Sequence, residues 1–197
     1  MENIARSSNV FQQHSSGTAA LNGYNVLYIP NFVTEDEEDY LVRKIQESPQ
    51  PKWKKLQKRR LQIWGGEMTA KGTLCEEPLP TFVCQHPDLI GRIKATGVFN
   101  GSPHGSPNHI IMNEYEAGQG IMPHEDGPKY HPVVATLSLG SHSVFHYYRY
   151  NETESPEGQG ASGSGRSIDR NPVLSLLLER RSLVISFNDM YTSHLHG

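Results

Sequence analysis

Two side chains that could bind one metal ion stand two residues apart, at His124 and Asp126. On an extended backbone, positions i and i+2 project to the same face, so this imidazole and this carboxylate could bind a metal side by side. A third ligand from a distant strand would complete a set of two histidines and one carboxylate. Such a set leaves coordination positions open for co-substrates and oxygen, and it suits non-heme Fe(II). The same spacing also arises by chance between two polar residues on a surface loop.

The candidates for the third ligand are His194 and His196. Side chains alternate along a strand, so both imidazoles would lie on the same face and either one could reach the metal. Spacing alone leaves both histidines open.

A second polar pair with this spacing, Asn113 and Tyr115, closes the strand that precedes the metal motif. The segment 116–120 contains two glycines and is expected to turn the chain back toward His124. The two pairs would then lie at the same end of neighbouring segments.

The order of these motifs resembles the AlkB-homologue family of Fe(II)/2-oxoglutarate dioxygenases, whose pattern is Asn-x-Tyr, a turn containing glycine, and then His-x-Asp. The segments that carry the resemblance are Leu61–Gly66, Gly120–Pro128, Leu137–His142, Ser175–Glu179 and Leu195–Gly197. It extends from about Tyr28 to the last residue and leaves out the segment 151–172. The resemblance implies a double-stranded β-helix, or jelly roll, and the oxidative demethylation of nucleic acid.

The same resemblance implies roles for individual residues. His124, Asp126 and His196 would bind the iron, and His196 is favoured over His194 because the family's histidine is followed by glycine. Asn113 and Tyr115 would form hydrogen bonds with 2-oxoglutarate, and dioxygen would be the second co-substrate.

The C-terminal end departs from the family pattern. The family places arginines on a strand after the distal histidine, and one of them pairs with the far carboxylate of 2-oxoglutarate. This sequence stops at Gly197, so the closing strand and its arginines are expected to be missing, as in a truncated or alternative product of an enzyme gene. The alternatives are a non-catalytic form that binds nucleic acid, or a metal-dependent hydrolase, which would prefer zinc.

A basic segment precedes this region, with six cations among residues 52–60 and Trp53 between them. Such a segment can contact phosphates while an aromatic ring stacks on a base, but it is also typical of a solvated loop or a nuclear-import signal. By analogy with the family, the candidate nucleic-acid and pocket-rim residues are Lys54, Lys55, Arg59, Arg60, Gln62, Trp64 and Tyr130. Core packing explains Trp64 equally well. Single-stranded nucleic acid is favoured, because a base must leave its stack to reach a buried metal.

Residues 1–22 show no periodic pattern of apolar residues and are expected to form a disordered leader. The elements that position the candidate residues therefore begin after this leader. A strand is predicted at Val26–Ile29. Thr34–Glu37 has the pattern of a capping box, which predicts a helix that ends before Pro49. A further strand is predicted at Arg60–Trp64 and a weaker helix within 82–93.

Short strands dominate the rest of the sequence. They are predicted at His109–Tyr115, Ile121–His124, Val133–Leu139, Ser143–Tyr148, Val173–Leu178 and Ser182–Phe187. Strands of this length between Gly/Pro turns are typical of antiparallel sandwiches, barrels and jelly rolls, so the fold class is α+β with helices flanking a β-rich core. Residues 23–108 would form an N-terminal extension that binds substrate, and 109–197 the dioxygenase core, with 151–172 as a mobile hairpin insertion.

Composition narrows the class of protein. The 197 residues suffice for one domain, and 36% hydrophobic residues with 18 glycines exclude collagen-like, coiled-coil and wholly disordered chains. A formal net charge of −3 means that any basic surface is local. No apolar run approaches the roughly 20 residues that span a bilayer, and no secretory signal is visible. We therefore expect a monomer of the cytoplasm and nucleus in which Cys75 and Cys84 are free thiols.

Overall fold

Helices packed on antiparallel sheets make up the fold, in agreement with the α+β class predicted from the sequence. The computed structural model describes residues 19–21, 23–69, 73–151 and 167–197. The strands are β1 (Ala19–Ala20), β2 (Val26–Ile29), β3 (Lys54–Lys55), β4 (Arg60–Trp64), β5 (Gly66–Met68), β6 (Leu74–Glu76), β7 (Ile110–Glu114), β8 (Val133–Leu137), β9 (Ser143–Tyr148), β10 (Leu174–Leu178), β11 (Leu183–Phe187) and β12 (Leu195–His196). The helices are α1 (Glu35–Gln46), α2 (Thr81–Cys84), α3 (Leu89–Ala95) and α4 (Asp189–Thr192), with a 3-10 turn at Gln50–Lys52. Among the described helices, none has the length and apolar character needed to cross a membrane.

Two antiparallel sheets share the main apolar core. One has the strand order β1–β2–β11–β8 and the other β10–β9–β12. Val184 of β11 belongs to the same buried cluster as Tyr147 of β9 and Leu176 of β10. Leu183 and Ile185, whose side chains alternate to the other face, pack in a second cluster that includes α3. Strand β11 is therefore covered on both faces, which accounts for its nearly continuous apolar sequence.

A third sheet, with the order β3–β4–β7, carries the basic segment and the Asn-x-Tyr motif. Its ladder pairs Leu61 with Asn113 and Arg60 with Glu114. Strands β5 and β6 form a separate hairpin next in the chain. The predicted strands at Val26–Ile29 and Arg60–Trp64 are confirmed with the same bounds.

Helix α1 begins with the capping box that the sequence predicts. The Thr34 side-chain oxygen accepts a hydrogen bond from the Glu37 amide at 3.2 Å, and the Glu37 carboxylate accepts one from the Thr34 amide at 2.9 Å. These two bonds satisfy two amides at the helix start that have no partner within the helix. The helix ends at Gln46, three residues before Pro49, as predicted.

Glu38 fixes helix α1 to the sheets through a buried carboxylate that is only 1% exposed. It accepts hydrogen bonds from the Gly140 amide at 2.7 Å and from Arg180 Nε at 3.0 Å. Burial acts to raise the pKa of Glu38, but the hydrogen bonds from Arg180 and Gly140 and the charges of Arg180 and Arg181 outweigh it. The net effect lowers the pKa, so the carboxylate is held in its charged form.

Two predicted elements differ from the structure. Ile121–His124, predicted as a strand, is a loop in which His124 alone forms a bridge, to His196. Pro123 lacks an amide hydrogen and so cannot donate to a ladder. The predicted helix within 82–93 is divided into α2 and α3, and Pro87 lies between them because it can neither donate to a helix interior nor fit there.

The N-terminal boundary also differs from the expectation. Ala19 and Ala20 lie within the predicted leader, yet they form β1 and pair with Tyr28 and Leu27. Leu21 of that leader is buried in the main core. Residues 1–18 and 22 lie outside the described residues, as does 152–166 of the predicted insertion. A bridge between Tyr150 and Ile168 joins the ends of that insertion. The division into 23–108 and 109–197 stays a prediction.

Replacing Glu38 by glutamine should destabilise the fold. The variant loses charge-assisted hydrogen bonds at a buried position, and we expect the free energy of unfolding to fall by about 1.5–3 kcal/mol, measured by urea denaturation. Glu35→Gln is the matched control: Glu35 lies on the same helix and pairs with Arg181 at 3.3 Å, but its side chain is 70% exposed. A change of at most about 1 kcal/mol is expected there. Equal effects of the two substitutions would contradict the role assigned to Glu38.

The contribution of Glu38 should depend on pH in a defined direction. Its folded-state pKa lies below the ordinary value of 4.5, so the stabilisation is complete above that value and is lost as the pH falls through the folded-state pKa. The difference in unfolding free energy between the wild type and Glu38→Gln should therefore shrink between about pH 6 and about pH 3. Urea titrations at several pH values would measure it, and a constant difference would refute the assignment.

Candidate metal centre

His124, Asp126 and His196 are brought together by backbone pairing between the 121–127 loop and β12. The His124 amide donates to the His196 carbonyl at 3.0 Å, and the His196 amide donates to the His124 carbonyl at 2.9 Å. The two rings lie 4.5 Å apart, centroid to centroid. Each of the three residues offers a ligand atom, and these atoms all lie within 4.8 Å of one another. The three side chains that the sequence singled out thus form one cluster.

Asp126 stands between the two histidines. Its Oδ1 lies 3.8 Å from His124 Nε2 and 3.7 Å from His196 Nε2. Its Oδ2 is buried and has no hydrogen-bond partner in the part of the chain that the structure describes. Buried carboxylate oxygens are nearly always satisfied, so this atom indicates that a further group belongs at the site. Two imidazoles and one carboxylate are a donor set that suits a first-row transition metal, and the residues present fit such an ion.

The orientation of both imidazoles is fixed by neighbouring groups. Nδ1 of His124 lies 2.9 Å from the Met122 carbonyl, which assigns its proton to Nδ1 and leaves Nε2 as the ligand atom. The ring of His196 stacks on Phe145, with 5.5 Å between centroids and 22° between planes. Burial and the charge of His124 lower the pKa of His196, while Asp126 acts to raise it; the net shift is downward. His196 therefore favours the neutral form, which is the form that binds metals.

His194, the alternative ligand, is used elsewhere in the fold. Its Nδ1 lies 2.9 Å from the Asp189 carbonyl, and its Nε2 accepts a hydrogen bond from Arg149 Nε at 3.2 Å. Both ring nitrogens therefore already have protein partners. The same-face argument does not hold for this pair, because β12 begins at Leu195 and His194 precedes it.

Two tyrosines border the carboxylate of the cluster. The Tyr191 hydroxyl donates to the Gly127 carbonyl at 3.0 Å and so fastens the backbone just after Asp126 to α4. Burial, helped by the negative charge of Asp126, raises the pKa of Tyr191 to about 12. Sequence analysis missed this residue, and no pattern could have found it, because its partner is a backbone carbonyl far away in the chain.

Tyr130, the second of these tyrosines, was predicted as a rim residue. Burial and the charge of Asp126 both raise its pKa, which indicates that the phenol lies near the carboxylate. Its ring lies 5.3 Å from that of His109. Its place at a pocket rim and its role in substrate binding stay predictions.

Asn113 is the second-last residue of β7, and Tyr115 directly follows the strand, which ends at Glu114, one residue earlier than predicted. Asn113 Oδ1 accepts a hydrogen bond from Arg59 Nε at 2.9 Å, and Tyr115 is 42% exposed. Burial raises the pKa of the Tyr115 phenol, and the charge of Arg59 opposes that shift. Within the described residues, no hydrogen bond connects either side chain to the metal cluster.

The basic residues of the third sheet differ in their partners. Lys54 pairs with Glu67, and Arg60 pairs with Glu114 and lies 4.0 Å from the centre of the Trp53 ring. Lys55 is exposed. These side chains remain candidates for contact with nucleic acid, although two of their charges are already compensated.

Gln62 does not line a pocket rim, which corrects the sequence interpretation for that residue, whereas a rim position for the half-buried Trp64 stays a prediction. They alternate to the face of β4 that helix α1 covers, where Gln62 is 0% exposed and donates to the Ile45 carbonyl at 2.9 Å. Trp64 Nε1 donates to the Gln62 side chain at 2.9 Å, and its ring meets that of Phe82 edge-on. Packing is thus the role that the structure supports for both.

Comparison with known proteins finds AlkB homologues among the similar sequences. No family model matches the chain. A protein of Danio rerio named "Probable RNA/DNA demethylase ALKBH6" is 42% identical over 172 residues, which cover 87% of this chain and 68% of that protein. An "Alkylated DNA repair protein ALKBH8 homolog" of Arabidopsis thaliana is 30% identical over 173 residues, covering 80% of this chain and 48% of that protein.

A solved structure shows a similar fold. It is described as "The structure of OsALKBH1", and it superposes with a TM-score of 0.57 over 90% of this chain and 86% of that one. The sequences are 15% identical, so this likeness concerns the fold alone.

The two candidate ligands can be separated by metal binding. His196→Ala should weaken Co(II) binding by more than about 100-fold, since loss of a ligand costs more than the 10–100-fold loss of a supporting residue. His194→Ala should retain Co(II) affinity within a few-fold. Titration followed by the visible absorption of Co(II) measures both, with circular dichroism to verify folding. A loss in His194→Ala alone would reverse the assignment.

Proposed function

This chain belongs to the AlkB-homologue family, and we propose that it is an Fe(II)- and 2-oxoglutarate-dependent dioxygenase that demethylates nucleic acid oxidatively. The observation that carries the proposal is the cluster of His124, Asp126 and His196 with its unsatisfied buried carboxylate oxygen. The name of the Danio rerio relative, a probable RNA/DNA demethylase, supports an enzyme of this type. Two imidazoles and one carboxylate leave open the coordination positions that such an enzyme needs.

The residues around the cluster have defined tasks in this proposal. His124 and His196 would present Nε2 to the iron, and Asp126 would present its carboxylate. Iron bound there would supply the redox chemistry that couples dioxygen and 2-oxoglutarate to the oxidation of a C–H bond. Phe145 stacks on one face of His196, and the Met122 carbonyl beside His124 Nδ1 favours the tautomer that leaves Nε2 free to bind the metal.

The co-substrate would be held by the Asn-x-Tyr motif. The Asn113 amide and the Tyr115 hydroxyl can both donate hydrogen bonds to carboxylate oxygens. Both lie near the positive charge of Arg59, which favours an anionic ligand. Burial of the Tyr115 phenol keeps it protonated and therefore a donor at neutral pH.

We propose a double-stranded β-helix as the core. Two antiparallel sheets that share one buried cluster support it, and so does the likeness of fold to OsALKBH1.

Single-stranded nucleic acid is the proposed substrate. The name of the Danio rerio relative refers to RNA and DNA. Lys55 and Lys58 have no ion-pair partner among the described residues, so their charges are available to phosphates. A monomeric state and a location in the cytoplasm and nucleus stay predictions.

The proposal is tested by measuring succinate release from 2-oxoglutarate by anaerobically Fe(II)-loaded protein that is then exposed to oxygen. His124→Ala should lower it below about 1% of the wild type, because losing a ligand exceeds the 10–100-fold cost of losing its supporting contacts. Formaldehyde release from methylated single-stranded oligonucleotides tests the demethylation step. No succinate from folded, iron-loaded wild type would reject the enzyme in favour of a binding protein. Activity with zinc and without oxygen would indicate a hydrolase.

A further inference from the structure

The 121–127 loop is held at a second point besides its pairing with β12. We propose that the Tyr191 hydroxyl is a positioning group for Asp126: through the Gly127 carbonyl, it holds the backbone that places this carboxylate beside the two histidines. This inference rests on one part of the proposed function, namely that the cluster binds a metal ion. It adds a residue of α4 to those on which the site depends.

Asp126 differs from the two histidines because no side-chain contact fixes its orientation. His124 is held by the Met122 carbonyl, and His196 stacks on Phe145. Oδ2 of Asp126 has no hydrogen-bond partner among the described residues. Its Oδ1 lies 3.7 and 3.8 Å from the nearest imidazole nitrogens, which is beyond hydrogen-bond distance. The position of the carboxylate must therefore be set by its backbone.

The backbone on either side of Asp126 is anchored at two points. One is the reciprocal hydrogen-bond pair between His124 and His196. The other is the bond of 3.0 Å that the Tyr191 hydroxyl donates to the Gly127 carbonyl. In the part of the chain that the structure describes, this is the only hydrogen bond formed by residues 125–127. Without it, the backbone that carries the carboxylate would be held on one side only.

The support from which Tyr191 reaches the loop is itself fixed to the core. Its neighbour Met190 is 0% exposed and belongs to the main apolar cluster. The Asp189 carbonyl lies 2.9 Å from His194 Nδ1, and the Asp189 carboxylate accepts a hydrogen bond from Asn25. Tyr191 is only 6% exposed. Helix α4 can therefore hold the loop in place rather than move with it.

The hydrogen bond also restricts what the Tyr191 hydroxyl can do. A phenol has one hydrogen to donate, and Tyr191 donates it to the Gly127 carbonyl. That hydrogen is not available to a substrate or a co-substrate, so the role is one of positioning. A loop that is ordered before the metal arrives binds it without paying the entropy of ordering. Loss of the hydroxyl should therefore weaken metal binding, as loss of other groups that orient ligands does.

Co(II) titration of Tyr191→Phe tests the inference, because this substitution removes the hydroxyl and keeps the ring. The affinity for Co(II) should fall about 10-fold, the lower end of the effect of groups that support metal ligands. The visible absorption of the bound Co(II) should shift toward that of the Asp126→Ala variant. Urea denaturation gives the folded fraction of each variant, by which its affinity is corrected. An unchanged affinity in Tyr191→Phe would overturn the inference.

The matched control is Tyr24→Phe. The Tyr24 hydroxyl also donates to a carbonyl that is distant in the chain, that of Val173 at 2.9 Å, and its side chain packs against the same apolar cluster. It does not contact the 121–127 loop through this bond. Tyr24→Phe should therefore leave the affinity for Co(II) and the Co(II) spectrum unchanged, and a loss equal to that in Tyr191→Phe would contradict the inference.

A double-mutant cycle separates positioning of Asp126 from a general structural role. In the Asp126→Ala background there is no carboxylate to position, so the further substitution Tyr191→Phe should change the residual Co(II) affinity by less than about twofold. Another loss of about 10-fold in that background would show that Tyr191 supports the fold or the histidines, and would overturn the inference. A wild type that binds Co(II) but releases no succinate would reject the proposed enzyme, while the cycle would still decide the role of Tyr191. A wild type that binds no Co(II) would overturn both.

Discussion

The reciprocal pair of backbone hydrogen bonds between His124 and His196 is the constraint on which the candidate site depends. It fastens the 121–127 loop to β12 and brings both imidazoles close to Asp126. The side chains themselves do not hold this arrangement, since Asp126 Oδ1 comes no closer than 3.7 Å to the Nε2 atom of either ring. Backbone pairing therefore positions the donors, and an ion would join them.

Strand β12 is in turn held from its other side. Leu195 and His196 pair with Tyr148 and Tyr147 of β9, and the Gly197 and His146 backbones exchange two hydrogen bonds of 2.8 and 3.1 Å. Gly197 also lies close to the loop, where a Cβ would come within 2.9 Å of the Ile121 carbonyl. Strand β12 thus lies between β9 and the 121–127 loop, and the packing of the two sheets therefore fixes the position of His196.

The sequence predicted the parts of this molecule that rest on local rules. The capping box at Thr34 and the strand at Arg60–Trp64 follow from hydrogen-bonding and alternation within a few residues. The metal motif was predicted for the same reason, since His-x-Asp is a local pattern. The choice of His196 over His194 needed the family resemblance, because no local pattern separates the two histidines. In the fold, His194 is already hydrogen-bonded to Arg149 and Asp189, and these partners could not be predicted from the sequence.

Features that depend on packing between distant parts of the chain could not be predicted from the sequence. Gln62 was expected at a rim, but alternation alone does not say which face of β4 helix α1 will cover. Tyr191 and Glu38 were not predicted, because each forms a hydrogen bond with a backbone group that is remote in sequence. The sequence does not distinguish Arg59 from Arg60. The pairing of β4 with β7 places them on opposite faces of the sheet, where they have different partners.

The bridge between His124 and His196 joins segments that are far apart in the chain. Closing such a loop costs conformational entropy that a single pair of hydrogen bonds does not recover, so the pairing persists only while the sheets on both sides are formed. The cluster therefore exists in the folded population and not in partly open molecules. Substitutions remote from it, such as at Glu38, would reduce the fraction of molecules able to bind a ligand while leaving the intrinsic affinity of the folded ones unchanged.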